Sequence, residues 1–450
     1  MVLLWRISYR LYRLLASLWS WAHHRFTVPG RVVLTTFLAS SAIAVDSENN
    51  VGYQAFVLLL FLLILAISFS WIFRARFSVH RRLPRCGTVG SPLAYALVLE
   101  NLTGKTQRGL AVLEELADPR PSFSEWRSFQ DALSKQSRSF QLAQRPRANP
   151  FNPAFFKESE LPPARPSQKI EARLRLLPLR RGLLRFRGVR LARPDPFGIF
   201  RAFIRVPLPQ SVLILPKRYP LPPIAFPGTM QYQEGGVALA SHVGRSDEFI
   251  ALRDYRPGDS LRHVHWRSWA RTGKPVVKEF EDEFFVRHAL VLDTFCSAPH
   301  SEAFEEAVSV AASFACTVRT QESLLDLLFV GLQSYCFTAG RGLARSEQML
   351  EVLASVRPCR DFSFAKLEHL VLNHARALSG IISVRVAWNE ERQSFVRKLK
   401  SLGIPLSVVV IVEAGQSTDL EAGPMADALD QFHVLEAGQI EAGLAKLSCK

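Results

Sequence analysis

Between Ala55 and Phe73 the chain reads AFVLLLFLLILAISFSWIF, nineteen residues without a charged side chain. A helix of that length spans close to the roughly 30 Å of a bilayer's hydrocarbon core. A buried helix of a water-soluble protein would carry a polar face, and this stretch has none. It is therefore expected to cross a membrane as a helix, the form in which a single segment satisfies its own backbone in lipid. Upstream, Val32–Val45 (VVLTTFLASSAIAV) has fourteen uncharged residues. That is short for a span alone, and long enough if Arg31 snorkels to the headgroups. The link DSENNVGYQ makes the two segments a tight helical hairpin, set within residues 28–76.

Charge sets the orientation. Arg6, Arg10, Arg13, Arg25 and Arg31 precede the hairpin, Arg74, Arg76, Arg81, Arg82 and Arg85 follow it, and the link carries only Asp46 and Glu48. The positive-inside rule places both termini in the cytoplasm, with two spans in the cytoplasmic (inner) membrane and its lipid as a partner. Residues 1–27 are expected to form a basic amphipathic helix in the interface. Leu4, Ile7, Leu11, Leu14, Leu15 and Leu18 share one face at helical spacing, and Arg6, Arg10 and Arg13 share another. Trp5, Tyr12 and Trp19 flank the aliphatic stripe. A secretory signal is excluded because arginines interrupt the apolar run and no small-residue cleavage site follows.

The 450 residues suffice for two or three domains. A net charge of +16 calls for an anionic partner, lipid or nucleic acid. Six cysteines without a C-x-x-C pair fit no zinc or disulfide framework, and are expected to be reduced thiols. Residues 77–235 read as a β-rich, sandwich-like segment with a loop-rich insertion at about 119–166, dense in Pro, Ser, Gln and Arg. From Arg165 to Arg205 twelve basic residues face only Glu171 and Asp195, and apolar residues alternate with arginines as in strands with one wet face. A nucleic-acid groove is the rival for this tract. Only Phe186, Phe197, Phe200 and Phe203 are available for the stacking such grooves use, so no nucleic acid is expected. DPFG, Asp195–Gly198, reads as a turn.

Residues 288–450 alternate short apolar strands with helices, the pattern of a parallel sheet covered on both faces (Rossmann-like). Ligands of such sheets lie at the carboxyl ends of strands. Those ends hold Asp293–Ser297 after the first strand and Trp388–Asn389 after a later one.

Between them, within residues 236–287, lies LRDYRPGDSLRHVHWRSWART, Leu252–Thr272, with five Arg, two Asp, two His and two Trp in twenty-one residues. Ser260 and Ser268 lie near His263 and His265, yet neighbours in sequence do not make a triad. H-x-H lacks further ligands, and RTGKP lacks the frame of a phosphate loop. Two readings remain open. One is a polar clamp in which Asp259 meets Arg253, Arg262 or Arg271. The other is a docking surface.

The stretch resembles the bacterial domain of unknown function 58 family through Leu252, Arg253, Tyr255, Gly258, Asp259, Arg262, Trp266, Ala270, Arg271 and Thr272, with Val264 in place of the usual Ile. RRGLLRFRGVRLARPDPFGIF, Arg180–Phe200, is similar to the same family, as is the paired-span N-terminus. The resemblance implies a von Willebrand A-like domain at the C-terminus behind a β-sandwich-like segment, and pairing with MoxR-type AAA+ ATPases. Such domains often bind magnesium through D-x-S-x-S plus ligands on later loops. This chain reads Asp293-Thr-Phe295-Cys-Ser297, and Trp388–Asn389 stand where an Asp is expected. Asp293 and Ser297 are thus remnants of a degenerate metal site, and neither metal nor cofactor is expected. The expected function is a membrane-anchored scaffold or adaptor facing the cytoplasm, with no catalytic constellation. A metal-dependent hydrolase or ligand-binding enzyme at the Asp293 loop and a membrane-tethered nucleic-acid binder are the alternatives.

Overall fold

The computed structural model describes residues 2–43, 50–118, 120–136, 151–221, 249–257, 261–280, 286–296, 301–317, 323–340, 346–415 and 420–446. The chain forms two compact units, the first built on Met1–Lys217 and the second on most of the chain from Arg218 onward.

The first unit opens with helices Val2–Arg25, Val28–Ile43 and Asn50–Ile72. The stretch Val51–Ile72 is long and apolar enough to cross a membrane by length and composition, with a mean hydropathy of 2.8. Val28–Ile43 is apolar but has 16 residues, so among the described residues one helix meets that length where two spans were expected. The two helices pack together, with Phe37 stacked on Phe56 at 5.1 Å.

The insertion is more ordered than its composition implied. Ser122 and Glu125 form a capping box: the Ser122 N–H donates to Glu125 Oε2 at 2.9 Å, and the Glu125 N–H donates to Ser122 Oγ at 3.4 Å. This starts helix Phe123–Gln136. Its Trp126 is buried against the N-terminal helix, with ring centroids 5.8 Å from Trp5, 5.5 Å from Tyr9 and 5.9 Å from Tyr12. The Tyr9 hydroxyl adds a 2.7 Å bond to the Pro121 carbonyl. Trp5 and Tyr12 therefore turn onto the protein. Leu4, Ile7, Leu11, Leu14, Leu15 and Leu18, on the opposite side of the helix at 100° per residue, stay exposed.

Behind these helices two sheets share one core. The first runs Phe77–Arg82, Leu93–Asn101, Lys169–Pro178, Ala154–Phe156, all antiparallel. The second runs Cys86–Thr88, Arg201–Leu215, Gly182–Pro194, Ala111–Leu116, Ser159–Glu160. Alternate residues such as Leu97, Leu99, Leu174 and Leu176 meet Leu184, Phe186, Leu191, Val212 and Ile214, while the arginines between them face outward. One arginine is inside: Arg81 pairs with Glu114, both side chains fully buried, and Tyr95 donates its hydroxyl to the same carboxylate at 2.9 Å. The Arg81 guanidinium lies 4.4 Å from the Phe186 ring centroid.

The DPFG turn does more than reverse the chain. Buried Asp195 accepts hydrogen bonds from the N–H groups of Phe197, Ile199 and Phe200 at 3.1, 2.7 and 2.7 Å. The turn it shapes receives the junction between the first two helices. Thr27 donates its hydroxyl to the carbonyl of Gly198, Phe26 bridges Phe200, and Gly30 packs so closely that a Cβ there would lie 1.9 Å from the Ile199 carbonyl oxygen.

The second unit contains a six-stranded sheet in the spatial order Ser334–Ala339, Ser323–Val330, Val286–Leu292, Gly380–Arg385, Leu406–Val412, Phe432–Glu436. All pairs are parallel except the first, a hairpin closed by the Gly331 N–H donating to the Gln333 carbonyl. Helices Ala365–His374 and Glu390–Ser401 cover one face through Leu367, Val371, Phe395, Val396 and Leu399. Helix Glu302–Thr317 packs on the sheet as well, and Ser301 starts it by accepting from the Phe304 N–H at 3.1 Å. The antiparallel edge strand and helix Ala365–His374 were not expected from the sequence.

Candidate functional site

Strand order reverses beside Val286–Leu292, which lies between Ser323–Val330 and Gly380–Arg385. The carboxyl ends of such strands are where open α/β sheets hold ligands. Asp293 follows the first strand and is fully buried. Its N–H donates to the Val384 carbonyl at 2.9 Å, which fixes it against the neighbouring strand. Its carboxylate is engaged by Arg392: Nε donates to Oδ2 at 2.7 Å and Nη2 to Oδ1 at 3.3 Å. The Phe295 N–H adds a 3.0 Å bond to Oδ1.

Arg392 is placed by the start of its own helix. Asn389 caps Glu390–Ser401, its side-chain oxygen accepting from the Arg392 N–H at 3.3 Å and from Nη1 at 3.1 Å. Nη2 also donates to the Phe295 carbonyl at 3.1 Å, and the guanidinium lies 4.9 Å from the Phe364 ring centroid. A divalent cation needs hard oxygen ligands around an accessible carboxylate. Here a tethered guanidinium holds the carboxylate, Phe295 brings a ring that packs 5.7 Å from Phe364, and Asn389 is spent on the cap. The described residues do not fit a metal. Trp388 donates its indole N–H to the Glu421 carbonyl at 2.9 Å and packs 5.0 Å from Phe432. Ser297 lies outside the described residues.

A second arginine reaches the same place. Arg385 ends its strand fully buried, its guanidinium 4.9 Å from the Phe395 ring centroid and 5.3 Å from that of Phe364. Burial pushes its pKa down to about 10, and the charge of Asp293 counters part of that fall. Neither Arg385 nor Arg392 was singled out from sequence. The available signal was an arginine inside the otherwise apolar run IISVRVAW.

The family-signature stretch lies on a separate small element of the same unit. Strands Phe249–Asp254 and Val276–Phe280 form an antiparallel ribbon, and a short turn of helix, Leu261–His263, leads to helix Trp266–Thr272. Gly273 ends that helix in the left-handed conformation, at φ 69°. Tyr255 ties in through its N–H to the Pro275 carbonyl at 3.0 Å, and Val264 bridges Val277. Val264, Val276 and Val277 are buried. Leu261 and Trp266 are 66% and 62% exposed, Leu252, Arg267, Arg271 and Thr272 are exposed as well, and Trp266 stacks on Trp269 at 5.3 Å.

The structure brings His265 and Ser268 together at 2.7 Å, within the first turn of the short helix. No carboxylate among the described residues bonds that imidazole, so a catalytic triad is not assembled. No group of three His, Cys, Asp or Glu able to hold a metal occurs among the described residues. Gly258, Asp259 and the side chain of Arg262 lie outside the described residues, so the Asp259 clamp falls outside them too. Arg253 donates Nη1 to the Asp254 carbonyl at 3.3 Å.

A stretch of 178 residues is 29% identical to "Uncharacterized protein YeaD" of Bacillus subtilis (strain 168), covering 39% of this chain and 42% of that protein. The match thus spans less than half of the relative's length. Residues 251–412, which contain both the exposed stretch Leu252–Thr272 and the buried Asp293–Arg392 pair, match the family described as "Protein of unknown function DUF58".

Proposed function

We propose that this chain is a membrane-anchored scaffold whose ribbon element, Leu252–Thr272, docks a partner protein, a MoxR-type AAA+ ATPase. The observation that carries the reading is exposure. Trp266, Leu261, Leu252, Arg267 and Arg271 are turned to solvent on a small element whose buried side chains, among the described residues, are Val264, Val276 and Val277. Tryptophan and arginine on an exposed surface are the residues that anchor interfaces. The resemblance to the domain of unknown function 58 family supplies the partner class.

Membrane attachment rests on Val51–Ile72, joined by Val28–Ile43 as a second, shorter span, with both termini cytoplasmic on the positive-inside rule. The exposed aliphatic stripe Leu4–Leu18 fits the headgroup boundary of the same membrane. We take the sheet, with its strand-order reversal and single antiparallel edge strand, as von Willebrand A-like. Its crevice carries no metal-dependent chemistry in this reading, because Arg392 holds Asp293.

The test is affinity capture of the detergent-solubilised full chain, with mass spectrometry, for the wild type and for Trp266→Ala with Arg267→Glu. An AAA+ ATPase enriched by the wild type and lost in the variant supports the scaffold. No such enrichment over a control membrane protein, with or without ATP, ends it.

A further inference from the structure

Among the described residues, the strand ends at the order reversal hold one more positive charge than they neutralise. Arg385 is fully buried, and its Nε, Nη1 and Nη2 have no hydrogen-bond partner among the described residues. The Ser383 hydroxyl, two residues earlier and so on the same face of the strand, is also buried and has no partner among the described residues. Asp293 is the nearby acid, and it is already bonded to Arg392. Among the described residues, two guanidinium groups and one carboxylate leave a net charge of one.

The rings of Phe364 and Phe395 attract the Arg385 cation through their faces but accept none of its five N–H donors in their planes. With a pKa of about 10, Arg385 keeps its proton at neutral pH, so the charge has to be balanced by something other than deprotonation. Neutral water would supply an acceptor but no counter-charge, and buried charges in proteins are paired.

We propose that Arg385 and Ser383 hold a small monovalent anion of the halide class. One negative charge closes the count. Full burial of both donors selects an ion that fits after losing its water. The place is where open α/β sheets take ligands. Asp293 does not repel the ion, because Arg392 neutralises it. The crevice thus has the opposite sign to a metal site: its cation is built in, and the exchangeable ion is an anion. This inference is independent of the scaffold reading.

The experiment uses the full chain in detergent, melted in sodium chloride, sodium bromide and sodium gluconate at matched ionic strength. The wild type melts a few degrees higher in either halide, with a saturable dose response. Arg385→Met loses the difference between halide and gluconate while keeping the general salt response of a chain of charge +16. Ser383→Ala moves the halide midpoint up by about tenfold, the loss of one hydrogen bond to a charged group. Equal melting of the wild type in halide and gluconate overturns the proposal, as does a halide effect that survives in Arg385→Met. Anomalous scattering from bromide-soaked crystals of the unaltered chain decides the case in which Arg385→Met does not fold. A peak at hydrogen-bond distance from the Arg385 guanidinium supports the site, and its absence there overturns it.

Discussion

Arg392 donates to both carboxylate oxygens of Asp293, at 2.7 and 3.3 Å, in a pair from which solvent is excluded. Removing Arg392 strips the buried carboxylate of both its guanidinium hydrogen bonds. Arg392→Met is therefore expected to destabilise the second unit by about 3–5 kcal/mol, and pairing it with Asp293→Leu to recover much of that loss. Urea unfolding of the full chain in detergent measures both. Magnesium titration of the wild type is expected to show no site tighter than about 10 µM, since sensor-type sites that reach such affinities need free oxygen ligands.

Substitutions on the ribbon element separate stability from recognition. Trp266→Ala is expected to change unfolding free energy by less than about 0.5 kcal/mol, as exposed positions do. Capture of the partner falls by about 30-fold, the weight of an interface tryptophan. Val277→Ala has the opposite profile, costing about 2 kcal/mol because its side chain is buried under the helix. A Trp266→Ala chain that unfolds as readily as Val277→Ala would show that the tryptophan pair is packing rather than a contact surface.

Trp126 meets the N-terminal helix through three aromatic neighbours, and Phe123, from the same helix as Trp126, adds a ring 5.4 Å from Tyr9. Trp126→Ala is expected to cost about 3 kcal/mol locally and to release that helix. Limited trypsin digestion of the reconstituted chain reads this out, with faster cleavage at Arg10 and Arg13 in the variant. Unchanged cleavage would mean that the helix is held by other contacts.

Stability should fall in mild acid. Burial holds the imidazoles of His288 and His433 below the ordinary 6.5. As pH drops through 6.5 the unfolded chain takes up protons at both and the folded chain resists. The stabilisation they give is therefore complete above 6.5 and is lost toward their folded-state values. The slope is at most about 1.4 kcal/mol per pH unit for each. Urea midpoints at about pH 7.5 and 5.5 are expected to differ less in His288→Gln than in the wild type.

The second unit was legible where periodicity alone decides. Continuous apolar runs gave Val286–Leu292, Leu406–Val412 and the helices that follow them, because a strand covered on both faces has no polar side to disguise it. Ser334–Ala339 was missed for the converse reason: at the sheet edge it mixes Ser, Tyr, Cys and Thr and carries no run. Asp293 was legible as the residue closing the first apolar strand, and Phe295 as a residue unable to ligate. Arg392 was not, because it sits three residues into a helix full of Glu, Arg and Lys that reads as a solvated face. The Asn389 cap, Asp293 and the Phe295 carbonyl together turn that side chain inward. Trp126 was obscured in the same way, by an insertion whose composition signals loops while one capping box starts a helix inside it.

The seat that Asp195 builds for the helix junction has a consequence for the order of events during synthesis. Thr27 and Gly198 are 171 positions apart. The helical segments leave the ribosome long before the turn that receives them exists, and at about 5–20 residues per second that interval lasts on the order of ten seconds or more. During it the apolar helices must be housed without the β-layers. In the membrane-anchored reading proposed above, the helices enter the bilayer first and the layered domain is assembled onto them afterwards, closing a long loop late in folding.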